Sequence, residues 1–205
     1  MKKIVISLVL LFLGLGISGT LGQGQPEAGL ENHKTSTIGF LTGFYFMQDE
    51  VFQEIYGKSA LFFGGEYTLR FPVTKQHGLD VAVGFRQLKK SGETSYTKEA
   101  TQLRLTNLSL ALRYSLDYGH FTFFLGPGFD YVTYKETYTE TFPINSVEGD
   151  DTGFHIAGGG YCNFLPSISI KAYFRYCAVA TEPEGFRVNL GGTEWGLGLV
   201  YRFEF

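Results

Sequence analysis

The chain has 205 residues with a formal net charge of −3, and it is rich in glycine and aromatic residues, with 27 Gly, 20 Phe and 13 Tyr. The acidic balance excludes a nucleic-acid partner held by a basic surface, and glycine shows no three-residue period, which excludes collagen. Only 18% of the residues are charged, against about 25% in a typical soluble domain. The composition therefore favours an aromatic, glycine-rich β protein.

The first 22 residues have the features of a secretory signal peptide. Lys2 and Lys3 precede an apolar stretch of 14 residues at 4–17, which is shorter than the roughly 20 residues of a spanning helix. Small residues follow and provide a cleavage site before Gln23. We expect a cleaved signal peptide, a short N-terminal periplasmic tail and one barrel domain, at 1–22, 23–34 and 35–205.

From residue 35 onward apolar and polar residues alternate, which is the period of a β-strand. The C-terminal segment is clearest, because Trp195 and Leu197 take one face and Gly196 and Arg202 take the other. No later stretch reaches 18 apolar residues, so no transmembrane helix is predicted. The alternation predicts eight strands, at about 35–47, 59–71, 79–89, 102–117, 121–138, 153–164, 167–180 and 192–205.

The connections between the predicted strands alternate in length. Three are short and four are longer and richer in Thr, Glu, Asp and Gly: 72–78, 117–120 and 165–166 against 48–58, 90–101, 139–152 and 181–191. This asymmetry is typical of a membrane barrel with short periplasmic turns and longer external loops. The sequence predicts an all-β fold, a single eight-stranded antiparallel up-and-down transmembrane β-barrel.

Side-chain volume decides which face of the strands points inward. The apolar faces carry about three dozen large residues, whereas an eight-stranded barrel has an interior just wide enough to be filled by side chains. The apolar face should therefore contact lipid. The opposite face combines small residues with charges that fit inside a barrel only if they pair. The predicted lumen charge network comprises Glu66, Arg70, Asp80, Arg86, Arg113, Asp130, Glu136, His155, Lys171, Arg175, Arg202 and Glu204.

The short turn at 72–78 predicts a register for its two strands. If the turn centres near Lys75, residues whose numbers sum to 150 lie opposite each other, and Arg70 faces Asp80. Glu66 lies on the same face of its strand. We therefore predict a Glu66–Arg70–Asp80 cluster.

A second register follows from the longer loop that precedes the sixth strand. A loop centred at 145–146 sets Glu136 opposite His155 and Asp130 opposite Tyr161. Glu136 is thus the expected partner of His155 near the external end of the lumen.

The chain ends with an apolar residue at every second position up to a terminal phenylalanine, at Leu197, Leu199, Tyr201, Phe203 and Phe205. This pattern resembles the C-terminal β-signal of bacterial outer-membrane proteins. With the signal peptide and the eight strands, the chain resembles a small outer-membrane β-barrel of the OmpA/OmpX/opacity-protein family. The resemblance implies the outer membrane of a Gram-negative-type bacterium, recognition by the barrel assembly machinery, and outer-membrane lipid and lipopolysaccharide as partners.

Outward aromatic residues near the strand ends are interpreted as anchors at the membrane interface. They are Tyr131, Tyr176, Trp195 and Tyr201.

The titratable residues indicate neither catalysis nor a metal site. The four histidines do not have the spacing of metal ligands. Some eight-stranded outer-membrane barrels are lipid A acyltransferases or deacylases, which use a His with a Ser and an acid. His155 has no serine two residues away. We expect no catalytic residue, no metal and no cofactor.

Three functions remain open at this stage. The leading hypothesis is a monomeric, non-enzymatic outer-membrane protein with a structural or surface-interaction role, whose lumen is filled by charge pairs. The alternatives are a narrow channel or small-molecule conduit across the outer membrane, and a lipid A-modifying enzyme. The predicted external loops carry no ligand motif that would name a partner.

Overall fold

Eight long strands form one closed antiparallel barrel in the computed structural model, which describes residues 34–94, 98–138, 146–181 and 188–204. Each long strand pairs with the next one in sequence, and the first pairs with the last to close the barrel. A two-residue strand, β8, extends the end of β7. The strands are β1 (Thr35–Met47), β2 (Ser59–Pro72), β3 (His77–Glu93), β4 (Ala100–Tyr118), β5 (Phe121–Tyr138), β6 (Ser146–Asn163), β7 (Ile168–Thr181), β8 (Val188–Asn189) and β9 (Gly192–Glu204). The predicted eight-stranded up-and-down barrel is confirmed.

Exposure alternates along each strand and shows which face points outward. In β9, Trp195 and Leu199 are 59% and 60% exposed, whereas Glu194 and Val200 are 2% and 3% exposed. The large apolar residues thus cover the outside of the barrel, and the charged face lines the lumen. The lumen is not lined by small residues and charges alone, because large rings such as Phe62 are also buried inside it.

The strands differ in length, and the difference lies at the end of the barrel that carries the longer connections. β3 to β6 have 17 to 19 residues, whereas β1, β2, β7 and β9 have 13 or 14. Pairing of β2 with β3 ends at Phe62 and Leu88, and pairing of β6 with β7 begins at Gly153 and Val179. The upper parts of β3–β6 therefore rise above their neighbours. We call them the raised wall: residues 89–93, 100–105, 133–138 and 146–152.

The raised wall corrects the predicted loops at 90–101 and 139–152. Strand β3 continues to Glu93, β4 begins at Ala100, and β6 begins at Ser146. These segments are polar on one face and mixed on the other, so they lack the clean apolar alternation that marks a strand in sequence.

One short helix, α1 (Glu50–Tyr56), lies in the predicted loop at 48–58. Asp49 caps its first turn, because the Asp49 carboxylate accepts hydrogen bonds from Val51 N at 3.0 Å and Phe52 N at 3.2 Å. The helix ends at Gly57, which has a φ of 79°. Among the described residues, no helix is both long and apolar enough to cross a membrane.

Candidate functional site in the barrel lumen

The middle of the lumen is filled by charged side chains that are at most 7% exposed. Alternation along the strands turns these side chains inward, and every long strand except β1 contributes at least one. We call this group the charge plug: Glu66, Arg86, Arg113, Asp130, His155, Lys171, Arg175 and Glu194.

Glu66 on β2 is the first centre of the plug. Arg113 donates two hydrogen bonds to its carboxylate, each 2.7 Å long. Lys171 also donates to Glu66, and Arg86 lies at 3.5 Å from it. Because paired guanidinium and carboxylate groups form the strongest hydrogen bonds in proteins, Glu66 ties together strands β2, β3, β4 and β7.

The ammonium group of Lys171 lies among three aromatic rings as well as against Glu66. Its Nζ is 4.8 Å from the centre of the Phe124 ring, 5.1 Å from that of Tyr173 and 5.4 Å from that of Tyr161. Ring faces attract cations. The buried rings therefore compensate part of the desolvation of this cation.

Glu194 on β9 is the second centre. Arg86 Nε donates to it at 2.8 Å and Arg175 Nη1 at 3.1 Å, and the Tyr173 hydroxyl donates as well. Arg86 thus lies between Glu194 and Glu66 and joins the first two centres.

Asp130 on β5 is the third centre. It accepts a hydrogen bond from Arg175 Nη2 and lies 3.0 Å from His155 Nδ1. Arg175 Nη2 also donates to Asn107 Oδ1 at 3.2 Å. Four cations and three carboxylates, with His155, therefore form one continuous hydrogen-bonded network across the lumen.

Below the plug, at the end that carries the short turns, lies a polar cavity of about 410 Å³, which we call the vestibule. Arg70 forms a two-bond ion pair with Asp117 there, with distances of 2.9 and 2.8 Å. Arg202 donates to Asn163 Oδ1 at 2.6 Å. The vestibule is large enough for several water molecules.

Above the plug the lumen is closed by buried apolar residues and by α1, which we call the apolar cap. Tyr56 of α1 is 2% exposed, and Phe52 and Ile55 pack against the buried cluster. The cavity beneath the cap has a volume of only about 20 Å³, room for about one water molecule. The cap comprises Tyr45, Tyr56, Phe62, Leu88, Leu103, Leu105, Val132, Tyr134, Val179 and Leu190.

The hydroxyl of Tyr56 connects α1 to the raised wall. It donates to Glu136 and lies 3.0 Å from Thr101 Oγ1. Burial, followed by the hydrogen bond to Glu136, raises the pKa of the Tyr56 hydroxyl well above its usual range. Tyr56 therefore stays protonated and remains a hydrogen-bond donor at physiological pH.

The sequence matches the outer membrane protein beta-barrel domain family over residues 11–203. The chain belongs to this family. The Neisserial surface protein A (NspA) is 14% identical with a TM-score of 0.60, covering 82% of this chain and 97% of that one. Ail of Yersinia pestis is 14% identical with a TM-score of 0.51, covering 84% and 99%. OprG of Pseudomonas aeruginosa is 12% identical with a TM-score of 0.52, covering 85% and 97%.

Similarity at this level of identity shows a shared fold. No curated protein has a matching sequence. Membership of the family places the chain among outer-membrane barrels, in agreement with the resemblance of its C-terminal strand. The signal peptide at 1–22 and nearly all of the tail at 23–34 lie outside the described residues, and cleavage stays a prediction.

The predicted register of β2 and β3 is confirmed, but the predicted cluster is wrong in part. Arg70 lies opposite Asp80, and their side chains are 3.8 Å apart. Glu66 does not join them, because the plug cations bind it instead. Arg70 turns towards Asp117, while Ser115 donates to Asp80 at 2.8 Å.

The predicted register of β5 and β6 is wrong. Asp130 lies opposite Gly153, and Glu136 lies opposite Val147. The reason is that β6 begins at Ser146 and pairs from there, so the connection to β5 centres earlier in the chain than predicted. His155 consequently contacts Asp130, and Glu136 binds Tyr56 in the apolar cap.

Sequence reasoning missed two carboxylates that the lumen uses. Glu194 shares the inward parity of Gly196 and Val200 but lies close to a predicted loop. Asp117 shares the parity of Ser115 but lies where the predicted strand 102–117 meets the predicted turn 117–120, whereas β4 continues to Tyr118. Both residues lie within predicted strands, so applying the inward parity up to the strand ends finds them.

The other predicted positions are found on the expected faces where the structure describes them. The outward residues Tyr176, Trp195, Leu197, Leu199 and Tyr201 are 39% to 60% exposed. Tyr131 donates to Asp150 at 2.9 Å beside the raised wall, and Phe203 is partly exposed. The side chain of Glu204 and the whole of Phe205 lie outside the described residues.

The described part of the chain contains no group of three or more His, Cys, Asp or Glu side chains that could hold a metal ion. His155 is 5% exposed, and within the described residues it contacts Asp130 and Arg175 at hydrogen-bond distance. His155 and Arg175 therefore hold the buried carboxylate of Asp130 in place, and Arg175 neutralises its charge.

Proposed function

We propose that this outer-membrane barrel is a non-conducting surface protein whose filled lumen serves as a rigid anchor for the raised wall. The observation that carries the proposal is the contrast between the two ends of the molecule. The lumen is occupied by the charge plug and the apolar cap, whereas four strands continue beyond the closed part of the barrel.

The filled lumen supports an anchoring role. Solvent scarcely reaches the plug side chains, since Asp130, Lys171 and Arg175 are 0%, 1% and 1% exposed. An ion would need to displace several paired charges and then the apolar cap. Because each broken pair leaves an uncompensated buried charge, this path is energetically unfavourable.

The raised wall supports an interaction role. Its outward positions are polar apart from Ala100, and Ser91 and Gln102 are examples that are exposed to solvent. One strand edge also lacks a strand partner within the described residues, since residues 146–152 of β6 have no partner on β7. The corresponding edge of β3 is covered by α1, because Gly92 lies against the Ile55 carbonyl group and the Tyr56 ring. Loop and edge segments held on a rigid scaffold are common binding surfaces.

We expect no stable current when the purified full chain is reconstituted in planar bilayers, because the plug and cap block the lumen. A general porin inserted in the same bilayer provides the positive control. Discrete, stable current steps that change in the Arg113→Gln variant would contradict a non-conducting lumen and would favour the channel.

We expect the raised wall to be accessible from outside the cell. In a variant without Cys162 and Cys177, Ser91→Cys should react with a membrane-impermeant maleimide on intact cells. Lys75→Cys, in the turn between β2 and β3, is the matched control and should react only after lysis. Labelling of Lys75→Cys alone on intact cells would reverse the proposed orientation.

A small-molecule conduit remains the second candidate, and the vestibule of about 410 Å³ is the observation that favours it. A conduit would require both plug and cap to rearrange. A lipid A-modifying activity has weaker support, because His155 is enclosed in the lumen, away from the lipid-facing surface where a lipid substrate would lie.

A further inference from the structure

Three basic residues form a row on the outer face of the raised wall. Lys89 on β3 lies opposite Arg104 on β4, and Arg104 lies opposite Lys135 on β5. All three side chains point outward and are exposed. We call these three residues the basic row.

The basic row has few counter-charges within the protein. Lys135 Nζ lies 3.4 Å from Glu148 Oε2, in a pair that is exposed to solvent. In the part of the chain that the structure describes, no carboxylate lies within 4 Å of Lys89 or Arg104. Like charges directly opposite each other on neighbouring strands are destabilising, so the row favours binding of an external anion.

The height of the row relates it to the membrane surface. Towards the raised end of each strand, the cation lies four positions beyond the last outward apolar or aromatic residue. The pairs are Phe85 and Lys89, Leu108 and Arg104, and Tyr131 and Lys135. Four residues span about 13 Å along a strand, or about 10 Å above the apolar belt at a strand tilt of about 40°.

That height is just above the lipid head groups, because the polar layer on each side of a bilayer is roughly 5–8 Å thick. The long side chains of Lys and Arg reach back into this layer. The charged ends of the three side chains are therefore within reach of the phosphate groups of the outer leaflet.

A shallow groove of about 370 Å³ beside the row adds polar groups. Arg104 and Lys135 border it together with the hydroxyl-bearing Thr106 and Thr133. On its far side the carboxylates are already engaged, since Glu148 pairs with Lys135 and Asp150 accepts the Tyr131 hydroxyl. Cations and hydroxyl donors on one side of a groove are the groups that bind phosphate.

We propose that the basic row binds the phosphate groups of an anionic glycolipid in the outer leaflet and so fixes the depth and rotation of the barrel in the membrane. The inference rests on the outward orientation of the raised wall in the proposed function. It does not depend on whether the lumen conducts, so the two proposals fail in different experiments.

The test measures binding of bisphosphorylated lipid A to the full mature chain in a neutral detergent, by titration and by native mass spectrometry. The triple variant Lys89→Gln, Arg104→Gln, Lys135→Gln should bind about a hundredfold more weakly, from about a fivefold loss for each of the three cations near an anionic surface. The matched control Lys58→Gln, Lys75→Gln, Lys98→Gln removes the same charge elsewhere and should bind as the wild type does.

Further measurements separate the sources of phosphate. Binding by the wild type should weaken as salt is raised, should be lost with dephosphorylated lipid A, and should survive millimolar inorganic phosphate. Equal binding of phosphatidylglycerol would overturn the assignment to a glycolipid, and full competition by inorganic phosphate would indicate a free-anion site instead. Unchanged affinity in the correctly folded triple variant, or an equal loss in the control, would overturn the basic row as the site.

Discussion

Replacing Glu66 with glutamine should lower the free energy of unfolding by about 3–5 kcal/mol, the cost of leaving a buried ionic partner uncompensated. Glu66 is the carboxylate shared by Arg113, Lys171 and Arg86. The glutamine amide has almost the same shape as the carboxylate but no charge, so three cations would remain buried with too little negative charge around them. Urea unfolding of the protein in lipid vesicles, followed by tryptophan fluorescence, measures the change.

The matched control is Glu148→Gln, which removes a carboxylate from the exposed pair with Lys135. Exposed pairs contribute about 0–1 kcal/mol, so this variant should unfold much like the wild type. Combining Glu66→Gln with Lys171→Met should restore part of the lost stability, because one unpaired cation is removed and methionine packs well against rings. Equal stability of Glu66→Gln and the wild type would show that the plug does not stabilise the barrel.

Replacing Gly126 with alanine should destabilise the barrel by about 1–3 kcal/mol through overpacking. Gly126 faces the lumen on β5, next to Pro127. The pairing of β5 with β4 is interrupted here, opposite Leu112 and Arg113. A Cβ at Gly126 would lie well inside contact distance of the Leu112 carbonyl oxygen and 2.6 Å from the Arg113 Cα. Both contacts are with backbone, so β4 itself would have to move, and Arg113 with it.

Gly65 on β2 is the matched control because it faces outward. A Cβ there would meet only the Gly39 carbonyl oxygen, at an ordinary distance of 3.5 Å. Gly65→Ala should therefore leave the stability unchanged or raise it by about 0.5 kcal/mol, through the lower entropy of the unfolded chain. Both variants are compared by urea unfolding and by heat-modifiable migration on gels. An equal loss of stability at Gly126 and Gly65 would contradict the assignment of Gly126 to the crowded lumen face and of Gly65 to the outer face.

The features that could be predicted from sequence are those that depend on local period. Two-residue alternation assigns Glu66, Arg113 and Lys171 to the inward face without knowledge of the tertiary structure. The register of β2 and β3 was also accessible, because a short turn joins two clearly alternating strands and leaves little freedom for a shift.

The partners of the lumen charges could not be predicted in the same way. Arg113 and Lys171 reach Glu66 from β4 and β7, which are not neighbours of β2 in the sheet. Which side chains meet across a closed barrel depends on strand tilt and shear, and neither is encoded in the parity of single strands. The raised wall was missed for a different reason: Glu148 and Asp150 lie on a strand that faces water on the outside, so no apolar period marks it.

The distribution of charge in the plug has a consequence for how the barrel enters its membrane. Glu194 on β9 meets Arg86 on β3 and Arg175 on β7, so its neutralisation requires strands from distant parts of the chain. A charged residue facing hydrocarbon costs about 2–4 kcal/mol near the middle of a membrane. Strands inserted one at a time would expose such charges, whereas joining β1 to β9 encloses all of them together. Insertion should therefore be a concerted step in which the seam between the first and last strands closes only when the complete set of charges is present.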